Sequence, residues 1–184
     1  MKTLFLTCAL VLASWTIGAQ TVIFRGVTED DLLQPSELLR EEIDGQLGNS
    51  AQIEQIGDDN DASIHQVLRG GGYNFAKVLQ CGDDNHAYVY QDGTGNQLLL
   101  VQHGYGNEYE LNNQGDNNQI VILQRGNDNR IIQDLENSHS LNIELIQIGY
   151  GNEIIQELDG VSGRNIKVHQ YGNDLQVVIR QSAY

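Results

Sequence analysis

Two pairs of adjacent acids, Asp58-Asp59 and Asp83-Asp84, are the residues of this chain best placed to hold a cation. On a repeating scaffold, paired carboxylates can bind calcium, or a cation together with an acidic polysaccharide, as a β-helix lyase does. The surrounding pattern is not the Gly-Gly-x-Gly-x-Asp nonapeptide of calcium-binding repeats. The histidines (His65, His86, His103, His139 and His169) occupy different places in the pattern and give no ligand spacing. No serine is accompanied by a triad, and no phosphate-binding loop is present. The chain therefore reads as a non-enzyme, with no cofactor and no metal. The four acids read as gatekeepers, charges that slow premature aggregation.

The chemistry that does recur is that of amides. Gln55, Gln80, Gln102, Gln124, Gln147 and Gln170 follow one another at intervals of 25, 22, 22, 23 and 23 residues. A primary amide both donates and accepts, so identical glutamines stacked in register can bond to one another in a column. A second series, Gln66, Gln91, Asn113, Leu135, Leu158 and Gln181, predicts an opposite column whose middle is apolar. Gly57, Gly82, Gly104, Gly126, Gly149 and Gly172 each lie two residues after a glutamine of the first series, where a tight arc needs a permissive backbone. Asn60, Asn85, Asn107, Asn129 and Asn152 end five of these six arcs, and Leu175 ends the sixth. Each asparagine is expected to satisfy the backbone of its own turn. The opposite arcs vary in length and lead to Asn74, Asn96, Asn118, Asn142 and Asn165.

Such columns need strands to hold them. Between arcs the chain alternates apolar and polar residues with period two, and no proline interrupts it. Counting back from each ladder position, the inward residues are pairs such as Ala51/Ile53, Leu98/Leu100 and Ile120/Ile122 on one series. On the other they are Ala62/Ile64, Tyr109/Leu111 and Ile131/Gln133. A period near 22 residues marks a solenoid. The expected fold is all-β: a β-solenoid of six strand-arc-strand repeats, forming two parallel β-sheets packed face to face in an amyloid-like stack. On the outside, Arg130 should lie between Glu108 and Glu153, and Arg180 beside Glu157. Leu79, Val101, Leu123 and Ile146 should align in an apolar column that is covered or binds something.

Before the repeats the chain changes character. Residues 1–19 read as a secretory signal: Lys2, an apolar run from Leu4 to Trp15, and small Gly18-Ala19 before Gln20. The run is too short for a transmembrane anchor, so no membrane insertion is expected. Removing it leaves Cys81 as the one cysteine, and nine Lys+Arg against 25 Asp+Glu, which takes the formal charge from -15 to -16. That excess disfavours nucleic acid as a partner, because phosphate contacts need cations. Residues 20–48 form an acidic, non-repeating segment with apolar clusters at Val22-Ile23-Phe24, Leu32-Leu33 and Leu38-Leu39. Residues 49–184 carry the repeats.

The pattern Asn-x-Ala-x-Ile-x-Gln-x-Gly-x-x-Asn, seen best in NSAQIEQIGDDNDASIHQ from Asn49 to Gln66, resembles the curlin repeat of curli subunits. The resemblance covers residues 49 to 181. It implies a secreted subunit of functional amyloid on a bacterial surface, serving adhesion and biofilm matrix. It also implies passage through a dedicated outer-membrane channel with periplasmic chaperones, and polymerisation with itself and with other curlin subunits. Leu, Ile or Tyr in later alanine slots, and Leu135, Leu158 and Leu175, depart from that pattern. A monomeric secreted adhesin is the alternative reading. Only Ser182, Ala183 and Tyr184 follow the last strand, so no cap is expected on the final row.

Overall fold

The computed structural model describes residues 48–183. The signal-like leader and nearly all of the acidic segment therefore lie outside the described residues. The alternating segments become twelve strands: β1 (Ser50–Ile56), β2 (Asp61–Leu68), β3 (Phe75–Asp83), β4 (His86–Gly93), β5 (Gln97–Tyr105), β6 (Glu108–Asp116), β7 (Gln119–Asn127), β8 (Arg130–His139), β9 (Asn142–Tyr150), β10 (Glu153–Asp159), β11 (Asn165–Asn173) and β12 (Gln176–Ser182). Odd strands form one six-stranded sheet and even strands the other, each in simple row order. Every pairing is parallel, so the fold is a β-solenoid of six rows.

Parallel in-register pairing places each residue type on its counterpart 22 to 25 residues away. Ala51, Ala76, Leu98, Ile120, Ile143 and Ile166 form one inward column of the odd sheet. Ala62, Ala87, Tyr109, Ile131, Ile154 and Val177 face them from the even sheet. Side chains of the central rows are fully buried, Leu98, Leu100, Tyr109, Leu111, Ile120, Ile122 and Ile131 among them. Burying each large aliphatic contributes about 1.5–3 kcal/mol. Ile64, Ile166, Val168, Val177 and Ile179, in the first and last rows, are only partly covered. The interior is thus closed along its length and open at its ends.

The arcs are as tight as glycine allows. At Gly104 φ is +127°, and an added Cβ would sit 2.0 Å from the Gly126 carbonyl oxygen of the next row. Two residues after each such glycine comes a left-handed position. It holds Asp59, Asp84, Gly106, Asp128, Gly151 and Asp174, with φ between +53° and +64°. Aspartate and glycine are the residues that tolerate this conformation at least cost.

One irregularity shifts the later rows. Between Gln114 and Gly115 the pairing of β6 with β8 slips by a residue, so Gly115 faces Ser138 and Asn137 is extra. Asn118, Asn142 and Asn165, which all follow the variable arcs, are therefore not equivalent in the stack. Asn142 and Asn165 align with Gln119, whose N–H bonds the Leu141 carbonyl, and the place of Asn118 passes to Leu141 and Arg164. That inserted residue makes the row-four arc one residue longer than the row-three arc.

Candidate functional site: the amide columns and the end rows

The odd-strand glutamines form a complete column. Each Nε2 donates to the next Oε1: Gln55 to Gln80 at 2.7 Å, Gln80 to Gln102 at 2.8 Å, Gln102 to Gln124 at 2.9 Å, Gln124 to Gln147 at 3.1 Å and Gln147 to Gln170 at 2.8 Å. The same nitrogens tie the column to the arcs beside it. Gln102, for example, donates to the carbonyls of His86 at 3.0 Å and Asn107 at 3.1 Å. Gln102, Gln124 and Gln147 are fully buried, so these bonds form away from competing water.

The even column is corrected to a single link. Gln66 donates to Gln91 at 2.8 Å. Asn113, one methylene shorter, turns its oxygen to Asn118 Nδ2 at 2.9 Å, and its own Nδ2 is buried without a partner. Leu135 and Leu158 follow, and Gln181 makes no side-chain hydrogen bond to another described residue.

The arc asparagines bond chiefly between rows rather than, as expected, within their own turns; Asn60 alone among them also reaches its own turn, at the Ile56 carbonyl across 3.5 Å. Asn107 Oδ1 accepts from Asn129 N at 3.3 Å and Asn129 Nδ2 at 2.9 Å, while Asn107 Nδ2 donates to the Gly126 carbonyl at 2.8 Å. Asn60, Asn85, Asn129 and Asn152 repeat the carbonyl contact to Gly82, Gly104, Gly149 and Gly172. The reason is geometric: the glycine brings the next row's carbonyl to within 2.6 to 3.0 Å of the amide.

A second asparagine column went unread. Asn49, Asn74, Asn96 and Asn118 line the opposite arc, linked at 3.0 to 3.1 Å from each backbone nitrogen to the preceding Oδ1. The last three are fully buried. Its signal is the interval of eleven residues to Asn60, Asn85, Asn107 and Asn129. The interior also holds a polar chain: Tyr109 Oη donates to Gln133 at 2.7 Å, and Gln133 donates to Gln156 at 2.7 Å. Gln156 Nε2 then has no partner, because the last row offers Ile179. Burial drives the Tyr109 hydroxyl pKa well above its ordinary value.

The four acids expected to act as gatekeepers have structural duties. Asp59 and Asp84 occupy left-handed arc positions, and Asp83 Oδ1 accepts the Asp58 N–H at 2.9 Å. A hydrogen bond with the Asp84 carboxylate raises the Tyr105 pKa. The expected ion pairs are present: Arg130 bridges Glu108 at 3.0 Å and Glu153 at 3.2 Å, and Arg180 meets Glu157 at 2.7 Å. Others were not foreseen, among them a His139–Asp116 contact at 3.8 Å. Arg69 binds the nearly buried Asp92, and Glu144 accepts from both Lys167 and His169 at 2.8 Å. Of the expected apolar outer column, Val101, Leu123 and Ile146 are, with neighbouring Leu99 and Val121, 2 to 8 % exposed, a closed face rather than a solvated one, while Leu79 is half-buried against them. Docking of the acidic segment upon it lies outside the described residues.

The end rows differ from each other. Row one exposes Ile53 and Gln55, and Gln55 Oε1 accepts no hydrogen bond from another described residue. In row six Leu175 stands where the other rows have asparagine. A Cβ built on Gly172 would lie 3.5 Å from Leu175 Cδ1, whereas every other glycine of that column meets the next row's carbonyl oxygen there. Leu175 thus partly covers a row expected to be bare. Row one carries Glu54, Asp58, Asp59 and Asp61 with His65 and Arg69, and row six Arg164, Lys167, His169 and Arg180 with Asp174.

Fold and columns together define a two-sheet parallel β-solenoid with a polar, unidirectional amide ladder. Comparison with protein-family models, curated proteins and solved structures gave no match.

Proposed function

We propose that the protein is a secreted structural subunit of curlin type, which stacks head to tail with itself and with related subunits into extracellular amyloid-like fibres. The observation that carries this reading is the direction of the glutamine column. All five links donate the same way, so Gln55 ends the column with an open acceptor, and Gln170 ends it with an Nε2 that donates to the Glu153 and Leu175 carbonyls and to no further glutamine. Identical polarity at every row is what continued stacking requires, and a heterologous end-to-end contact of this kind does not close.

The apolar rows add to the support. The interior columns are partly uncovered at both ends, and parallel edge strands with free backbone groups template further strands. Opposite charges on rows one and six favour head-to-tail approach over head-to-head. In a joint of unbroken register, His169 would meet Glu54 of the next copy.

Purified chain held at neutral pH tests the proposal. Fibres with cross-β diffraction support it. A lasting monomer favours the adhesin reading instead, and cleavage of acidic polysaccharide would favour a lyase.

A further inference from the structure

Resting on the assembly reading above, the two end rows carry a second inference, about which partner the first row is made for. Within the stack, every arc asparagine presents Oδ1 to the next row's backbone N–H and Nδ2 to its glycine carbonyl. On row one, the Asn60 N–H and the Gly57 carbonyl are the groups that await such a neighbour. In the opposite arc the Asn49 N–H awaits another. Row six of this same chain offers Leu175 and Arg164 at those two positions, and neither side chain can supply an amide oxygen. Leu175 also leans over Gly172, where an added row's backbone must pack. A copy seated on a copy would join the glutamine column and leave the asparagine columns unmade, with buried donors unmet.

We propose that row one is built to receive a different solenoid chain in preference to a second copy. That chain's last turn would carry Gln-x-Gly-x-x-Asn, with an asparagine also in the opposite arc. In the arc of Leu175 the mismatch sits at the joint alone, since Leu175 is 41 % exposed and ends its column; in the opposite arc it begins inside the chain, where Leu141 already precedes Arg164.

The test uses the full chain and its own Leu175→Asn/Arg164→Asn variant as the stand-in partner. Sheared fibres of each, matched for number of ends by electron microscopy, are offered wild-type monomer. Extension of the variant seeds should be several-fold faster. Equal or slower extension overturns the inference and leaves the assembly reading standing. Absence of fibres from both chains overturns both together. If the double variant fails to fold, by circular dichroism and urea midpoint, Leu175→Asn alone serves, with a smaller gain expected in the same direction.

Discussion

Gln102 Nε2 donates to Gln124 Oε1 across 2.9 Å between two fully buried amides. This contact joins rows three and four and repeats along the whole odd sheet. Its position inside the protein makes it expensive to lose. Changing Gln124 to Leu would deprive Gln102 of an acceptor and Gln147 of its donor. The urea midpoint of the monomer should report a loss of about 1–3 kcal/mol for the stranded groups. Asn113→Leu should cost far less, because Asn113 Nδ2 is already unpartnered and Asn118 keeps its bond to the Ser138 carbonyl.

Arc glycines divide into two kinds. Alanine at Gly104 would place Cβ 2.0 Å from a neighbouring carbonyl oxygen at φ +127°, and should prevent the rows from stacking. At Gly163, φ is +61° with open space around the position. Alanine there should cost only about 1–2 kcal/mol, the usual left-handed penalty. Thermal melts of the two variants should separate clearly; similar melts would contradict the close stacking of the arcs.

Charge and conformation can be separated at the acidic arcs. Asparagine at positions 58, 59, 83 and 84 keeps the left-handed tolerance and the acceptor that Asp83 offers to Asp58, and removes only charge. The lag before fibres form should shorten. An unchanged lag would remove the gatekeeper role from these residues.

Low pH should weaken one clasp in particular. The hydrogen bonds from Arg69 hold the Asp92 carboxyl below its usual pKa, and they outweigh the burial that opposes ionisation. Because the folded pKa is depressed, the stabilisation is present above the unfolded value of about 4 and fades as pH falls below it. Urea midpoints of wild type and Asp92→Asn should therefore differ at neutral pH and converge in acid. Curves that stay parallel throughout would show the pair to be energetically silent.

Much of this arrangement was legible from spacing. Strict alternation placed Leu98 over Ile120 and Arg130 between two glutamates, because a parallel sheet with no slip converts sequence period directly into contact. Spacing carries no information on direction, so it gave the asparagines' positions and not their partners in the next row. Asn137 shows a second limit: one inserted residue moved the apparent match from Leu141 to Asn142. The closed state of Leu99 and Leu123 was half visible, since alternation sets them outward and says nothing of what shuts the face. Leu175 as a partial cover depends on a side-chain rotamer, which no period encodes.

Diffraction from aligned fibres of the purified protein tests the central claim most directly. Parallel rows about 4.8 Å apart along the fibre axis, with a subunit repeat of roughly 29 Å for six rows, are the expected result. Protein that remains monomeric at neutral pH, or fibres whose strands run along the axis, would contradict end-to-end stacking of this solenoid.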